Sequence, residues 1–382
     1  MQRITLVGFG LLASSIAAAI KQAKLPTVIR AVSSPSTLDR AREMNIADEF
    51  FGYENPEQWA ADSDIILLCS PILHILKTID ALSAVKLPTV AEGGKRILVS
   101  DIGSTKVEIC KAGSKLPSSF CFVGSHPMAG SEKRTLEYND PSIFENAYWF
   151  VCPPEGVEES AYKPLLQLIS FLGANAVVFP PQHHDMTMAW VSHMPQMLSS
   201  TLAASLPERL VENNYQHYAG RAFRDMTHIA ASGWNMWHDI AVTNRQETVR
   251  ALREVRDGVD KTIDALDSLN VVCNGIPAAD DCSAKLEAVF KSGNDNRASL
   301  FVPGRNAAGA FSEITVPLKD VPGAVLKVLQ PLADAGLNIR DIELMKVREN
   351  IAGTLLLAFK THEEALRAVQ ILGLLDYEVK ER

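Results

Sequence analysis

Residues 3–23, "RITLVGFGLLASSIAAAIKQA", constrain this chain more than any other stretch. A short apolar run breaks at two glycines and resumes as an alanine-rich helical pattern. Strand, G-x-G-x-x-A turn and helix in immediate succession open a doubly wound α/β domain and receive a pyrophosphate. Gly8 permits the tight turn, Gly10 lets the backbone approach a phosphate, and Ala13 lets the helix lie close on the strand. Leu11 and Leu12 fall in the first helical turn, whose free N–H groups face the anion. The competing reading is a glycine turn needed only for packing. The position between strand and helix favours the dinucleotide.

Strand-like runs recur at 27–33 ("TVIRAVS"), 64–69 ("DIILLC"), 96–102 ("RILVSDI"), 120–124 ("FCFVG"), 148–152 ("YWFVC") and 176–180 ("AVVFP"). Continuous apolar runs suit strands buried on both faces of a parallel sheet. With the amphipathic helix at 159–173 among them, they predict a Rossmann-like domain over 1–180. From Pro181 the texture becomes helical: Val249, Leu252, Val255, Val259, Ile263 and Leu266 recur three or four apart. Residues 181–295 read as an all-helical domain that closes the cleft and builds a dimer. Gly, Asn and Ala enrich the stretch from 291, and 296–311 read as a linker. Residues 312–382 carry a β-α-β-β-α-β order, a ferredoxin-like α+β module. The fold class expected is therefore α/β with an appended helical domain and a small α+β domain.

A net charge of −8 without a Lys/Arg-rich block excludes an electrostatic footprint for nucleic acid. The six cysteines are scattered with no CxxC pair, so neither a zinc site nor a redox dithiol is indicated. A reduced, cytoplasmic setting fits them. The opening "MQRITLVGFG" does not read as a secretory leader, and no apolar stretch reaches membrane-helix length.

The second strand ends "AVSSPS", with Ser33 and Ser34 where an NAD enzyme usually places an acid for the ribose diol. Loss of the carboxylate removes its repulsion of a 2′-phosphate, and Arg30 or Arg40 are candidate countercharges. The cofactor is thus NAD or NADP, with a lean to NADP; the opposing reading is Ser33 on the NAD ribose.

Three segments carry further chemistry: "SDIGSTK" (100–106), "GSHPMAGSE" (124–132) and "HHDMTMAWVSHMPQML" (183–198). The first two follow presumed parallel strands, at the edge where open α/β sheets bind ligands. A neutral imidazole at His126 can accept a hydroxyl proton near its own pKa. With "GFGLLASS", "CSPI" (69–72), "AFRDMTHIAAS" (222–232) and "LKDVPGAVLKVLQPLADAGLNI" (318–339), they run through essentially the whole chain. In this combination and order the chain resembles the prephenate dehydrogenases that carry a C-terminal ACT-type regulatory domain.

The resemblance implies oxidative decarboxylation of prephenate to 4-hydroxyphenylpyruvate in tyrosine biosynthesis, by a cytoplasmic homodimer without a metal. It implies catalytic roles for His126, Ser104 and His193. It places Ser125, Glu132, Ser192, Gln196, Arg224 and His228 around the substrate. Cys69, Ser70, Pro71, Asp101 and Gly103 join the glycine turn, Ser33 and Ser34 around the cofactor. Two positions depart from the family pattern: His228 stands where an arginine commonly clamps a substrate carboxylate, and Gln196 where a histidine is common. A histidine is a weaker, pH-dependent cation than a bidentate guanidinium. Arogenate, the amino analogue, is accordingly the competing substrate.

The module at 312–382 resembles an ACT domain, with Asp320, Pro322, Gly323 and Asn338 at the position where such modules bind amino acids. Tyrosine is the effector this implies; simple support of the dimer is the alternative. Bland readings cover the rest. His74, His217, His238 and His362 read as surface or packing residues, and His183 as exposed. His184 and Asp185 lack a third metal ligand, and Asp185 reads as meeting the N-terminus of its own helix. Lys106 reads as a residue at the site or on its rim. Trp234, Met236 and Trp237 read as dimer or domain core. Two other function classes compete: a catalytically silent effector-binding protein, and a reductase of imines or 3-hydroxy acids. The latter usually depends on a helical-domain lysine, and no lysine occurs from 164 to 260.

Overall fold

The computed structural model describes residues 2–87, 96–130, 135–267, 281–299, 312–318, 321–345 and 353–381. They form two compact units, 1–261 and 262–382.

The first unit is built on eight strands: β1 (Gln2–Val7), β2 (Thr27–Val32), β3 (Glu49–Phe51), β4 (Ile65–Leu68), β5 (Ile97–Asp101), β6 (Phe120–Pro127), β7 (Tyr148–Cys152) and β8 (Asn175–Val178). Their order is β3-β2-β1-β4-β5-β6-β7-β8. β1 to β6 run parallel, β7 is antiparallel to β6, and β8 is parallel to β7. Alternate residues of one strand feed opposite faces. Ile4, Leu6, Ile65 and Leu67 pack into one apolar cluster; Val7, Ile66, Leu68 and Val99 pack into the other. Both faces are covered, which is why these strands read as unbroken apolar runs.

Strand β6 is longer than the sequence suggests. Glycine and proline mark its end as a turn beginning at 124, yet pairing continues through Pro127, with His126 opposite Phe150. Its last residue paired with β5 is Val123, opposite Ser100. Residues 124–127 therefore run past the last β5 pair and are strand-paired with β7 alone. Gly124 is needed for packing, not for a turn: a Cβ there would meet Cys110 Sγ at 2.5 Å.

The helical residues that follow belong to the same unit. One continuous helix runs Pro181–Met188, widens to a π turn over Ala189–His193, and resumes over Met194–Ala204. Helix Trp234–Thr243 comes later, as does helix Arg245–Asp267, whose residues up to 261 belong to this unit. Trp237 and Ile240 complete the second apolar cluster, while Trp234 and Met236 are exposed. Of these three, read as dimer or domain core, Trp237 lies in the domain core.

In the second unit, helix Asp281–Ser299 occupies much of the stretch read as rich in linker residues, including 296–299. Strands β9 (Ser312–Leu318), β10 (Ile339–Met345), β11 (Gly353–Phe359) and β12 (Lys380–Glu381) pair in the order β10-β11-β9-β12. Helices Ala324–Asp334 and His362–Gly373 connect them in the β-α-β-β-α-β order of a ferredoxin-like module. Val316, Val328, Leu357 and Leu372 are among its fully buried core. Gly323 takes φ +81 ahead of its first helix, a left-handed conformation that favours glycine. Pro322 and Asn338 are exposed beside the two ends of that segment; Asp320 lies outside the described residues.

Candidate active site

The strand order reverses between β1 and β4, and the crevice at such a switch point is where open α/β sheets hold ligands. Gly8 follows β1 with φ +92, and a Cβ on it would come within 2.7 Å of the Ser70 backbone nitrogen. Glycine is required on both counts. Ser70 Oγ lies 3.1 Å from His74 Nδ1, so His74, read from sequence as bland, supports the crevice wall. The N-terminus of helix Leu11–Gln22 carries no side-chain cap. The Ser14 and Ser15 hydroxyls turn back onto the Leu11 carbonyl. A cradle that a side chain would fill, beside uncapped N–H groups, fits a dinucleotide pyrophosphate. Pro71 is exposed and opens helix Ile72–Ser83.

The candidate countercharges for a 2′-phosphate are both engaged elsewhere. Arg30 is buried, with Nε 2.6 Å from Glu49 Oε2 and Nη1 2.5 Å from the Ala61 carbonyl. Arg40 pairs with Glu137. What stands at the end of β2 is a set of hydroxyls: Ser33, buried, and Ser34, exposed, whose Oγ lies 3.0 Å from Thr37 Oγ1.

Asp101, expected against the cofactor, is wholly buried, and so is Lys106, expected at the site or its rim. The two form an ion pair, and Lys106 Nζ also donates to the Ser125 carbonyl at 2.7 Å. The Asp101 carboxylate accepts from the Gly103 N–H at 2.8 Å and the Ser125 N–H at 3.0 Å. The Ser125 hydroxyl donates to the Asp101 carbonyl at 2.6 Å and accepts from Trp149 Nε1 at 3.0 Å. Ser125, like Asp101 and Gly103, is thus an internal brace between β5, β6 and β7. A buried cation is costly unless paired and hydrogen-bonded; here Asp101 and the Ser125 carbonyl do both.

Beyond the brace, His126 Nδ1 lies 2.9 Å from His184 Nε2, and His184 Nδ1 lies 2.8 Å from Asp185 Oδ1. The same carboxylate accepts from the backbone N–H of Lys106 at 2.6 Å and of Val107 at 2.9 Å. Asp185 therefore meets the start of helix Val107–Gly113, not of its own helix as the sequence suggested. Asp239 does the same for helix Ile72–Ser83, accepting from the Leu73 N–H at 3.1 Å. Two carboxylates of the helical region thus fasten it onto the sheet's carboxyl edge. Burial holds His126 well below its ordinary pKa, with His184, Lys106 and His193 adding to the effect. Burial also lowers His184 against the pull of Asp185.

His193 ends the π turn, a local widening frequent at functional sites. It is buried, with Nδ1 3.0 Å from Asn244 Nδ2 and its ring edge-on to Trp237. Burial lowers its pKa to about 4.

The remaining expected residues are less convergent. Ser104 is half-buried on the loop after β5, but the side chain bonded to His126 is His184, not Ser104. Ser192 is half-buried beside His193. Gln196 is buried, and its amide nitrogen donates to the Ile229 carbonyl at 2.8 Å and Ser200 Oγ at 3.2 Å. It therefore tethers the turn that carries His228. Arg224 and His228 are both exposed, and among the described residues no contact joins either to His126 or His193. Glu132 lies outside the described residues. His183 is exposed beside the buried His184. Burial pushes the Cys110 thiol up to about 12, so it acts as a small core hydrophobe. Among the described residues no group of three or more His, Cys, Asp or Glu could hold a metal ion.

A switch-point cradle for a dinucleotide, with a half-buried histidine of lowered pKa projecting past the same sheet edge, defines an NAD(P)-dependent oxidoreductase. Residues 16–178 match the nucleotide-binding domain of prephenate dehydrogenase, and residues 180–271 its dimerization domain. The prephenate dehydrogenase of Lactococcus lactis is 30% identical over 97% of this chain and 98% of its own length. That of Bacillus subtilis is 29% identical over 97% and 95%. The fold also matches the Aquifex aeolicus prephenate dehydrogenase solved with hydroxyphenyl propionate and NAD+, with a TM-score of 0.64 at 22% identity. That match covers 78% of this chain and 98% of the other. The chain belongs to the prephenate dehydrogenase family.

Proposed function

We propose that this protein oxidises and decarboxylates prephenate to 4-hydroxyphenylpyruvate, with His126 as the proton acceptor. The observation that carries this is the placement of the His126 imidazole at the end of β6, bonded to His184 and backed by Asp185. Bound NAD(P) supplies the acceptor for the hydride that leaves the carbinol carbon of the ring. His126 takes the hydroxyl proton as that hydride departs. The bond to the ring carboxylate then breaks, CO₂ leaves, and its electron pair aromatises the ring. The proton on His126 returns to the phenolate oxygen, so no net proton is released. His193 faces the substrate from the helical side with Ser192 beside it, and Ser104 does so from the loop after β5. The family membership and the near full-length match to relatives of this activity support the reading.

One side-by-side assay tests it: NAD and NADP reduction with prephenate and with arogenate. Prephenate is expected to support turnover more efficiently than arogenate. NADP is expected to be the better cofactor, because the hydroxyls of Ser33, Ser34 and Thr37 stand at an uncapped helix start without an acid. Silence with both substrates would sink the function; a strong NAD preference would sink only the cofactor reading.

The protein acts as a cytoplasmic homodimer in this reading. Tyr218, Met226 and Trp234 are exposed on the helical region that matches the family's dimerization domain. His228 is the weakened counterpart of a carboxylate clamp. His228→Arg is expected to lower KM for prephenate roughly tenfold, the scale of one charge-assisted hydrogen bond, with kcat little changed. An unchanged KM would place the clamp elsewhere. The ACT-type module takes tyrosine as effector. Inhibition by tyrosine should accordingly be lost from a chain ending at Ser299; equal inhibition of both forms would remove the module from the mechanism.

A further inference from the structure

Two hydrogen-bond chains reach the site histidines, and each starts at an oxygen of Asp185 that accepts. The first begins at Asp185. An ionised carboxylate only accepts, so His184 Nδ1, 2.8 Å from Oδ1, carries the proton. A neutral imidazole has one N–H, so His184 Nε2 is an acceptor. It lies 2.9 Å from His126 Nδ1, which must donate to it. The lone pair of His126 is then on Nε2, which no described residue engages by hydrogen bond.

The second chain begins at the Asp185 carbonyl, which also only accepts. Asn244 lies 2.7 Å from it, so the atom facing it is the amide nitrogen Nδ2. That nitrogen also lies 3.0 Å from His193 Nδ1. Its second hydrogen points to His193, whose Nδ1 accepts and whose proton is therefore on Nε2. Asn244 is buried, and Asp185 is held by four contacts: two backbone N–H groups, His184 and Asn244.

We propose that His184 and Asn244 are positioning residues that set opposite tautomers on the two site histidines, making His126 Nε2 a proton acceptor and His193 Nε2 a hydrogen-bond donor. The proposal rests on the reading of His126 as the base. It adds a division of labour that neither ring's identity provides: one takes the hydroxyl proton, the other offers an N–H to a substrate oxygen. Burial keeps all three rings neutral, which the assignment requires. The charged and titratable groups acting on His126 are His184, Lys106 and His193. Those acting on His184 are Asp185, Lys106 and Asp101. When His126 gains the proton, its Nδ1–H bond to His184 is already made, so the cation forms without reorientation of the ring.

The test is a long-range proton–nitrogen correlation spectrum of the full-length protein labelled with ¹⁵N-histidine, at neutral pH without substrate. His126→Asn and His193→Asn assign their signals among the nine histidines. His126 is expected to show a protonated Nδ1 and an unprotonated Nε2, and His193 the reverse. His184→Leu should blur the His126 pattern, leave His193 unchanged, and lower kcat roughly 10²–10⁴-fold, the scale of a lost or wrongly held base, with KM within about twofold. His184→Gln, whose amide oxygen can accept from His126 Nδ1, should recover most of kcat. Asn244→Leu should release His193 alone. A protonated His126 Nε2 in the unmodified protein would overturn the proposal whatever the variants do. So would His184→Leu with unchanged signals and turnover. Because the spectrum needs no substrate, the expected signals with no turnover of prephenate would uphold the tautomers and reject the functional reading.

Discussion

Replacing His126 by Asn should lower kcat roughly 10²–10⁴-fold, the contribution of one positioned general base, and leave KM for prephenate nearly unchanged. Asn keeps a short polar side chain at the end of β6, so the pairing of Pro127 with Trp149 and the brace at Ser125 persist. What disappears is the basic Nε2. The pH profile supplies an independent readout. A general base works in its neutral form, so kcat/KM is present above its pKa and lost as pH falls through it. Burial holds His126 well below the ordinary histidine value of 6.5. The unmodified enzyme should therefore keep its kcat/KM from neutrality down through pH 6 and lose it only in more acidic buffer. The variant's residual activity should not follow that limb. An acid limb at or above pH 6.5, or a variant that loses substrate binding while turning over normally, would contradict the role.

The layout of the molecule was largely written in local pattern. Apolar runs with helical intervals located most strands of the first sheet, and the G-x-G-x-x-A turn located the crevice. β3 escaped because three residues carry no period. The end of β6 was misplaced because Gly124 and Pro127 are ordinary turn signals; only the packed Cys110 sulfur shows why a glycine sits within a strand. At the site, sequence singles out residues but not their partners. "HHD" is visible, yet His184 meets a histidine 58 positions away, and Asp185 serves a helix 78 positions away. Asn244 belongs to no motif, and its link to His193 exists only once the helix after Trp234 has folded back. Lys106 invited a reading at the site or on its rim because lysine is rarely buried without a partner. Its partner, Asp101, stood five positions earlier, hidden by the turn between them.

That buried pair makes the second strong expectation. Lys106→Met should destabilise the first unit by about 3–5 kcal/mol, the scale for removing one partner of a buried ion pair. The loss is not mainly that of an attraction. Asp101 would be left fully buried without its cation, supported only by the N–H groups of Gly103 and Ser125, and burial, which already raises its pKa, would push it further towards protonation. If so, Asp101→Asn on top of Lys106→Met should restore part of the stability, since no charge then needs a partner and the amide oxygen still accepts. Independent contributions would instead make the double variant worse than either single change. Denaturant unfolding at fixed protein concentration, followed by tryptophan fluorescence, distinguishes the two; Trp149 reports directly because its Nε1–H bonds Ser125. The double variant should stay catalytically impaired even where stability returns. Lys106 Nζ holds the Ser125 carbonyl, the residue before His126, and no methionine or asparagine replaces that bond. Full activity in a refolded double variant would show that β6 carries His126 to its place without the brace.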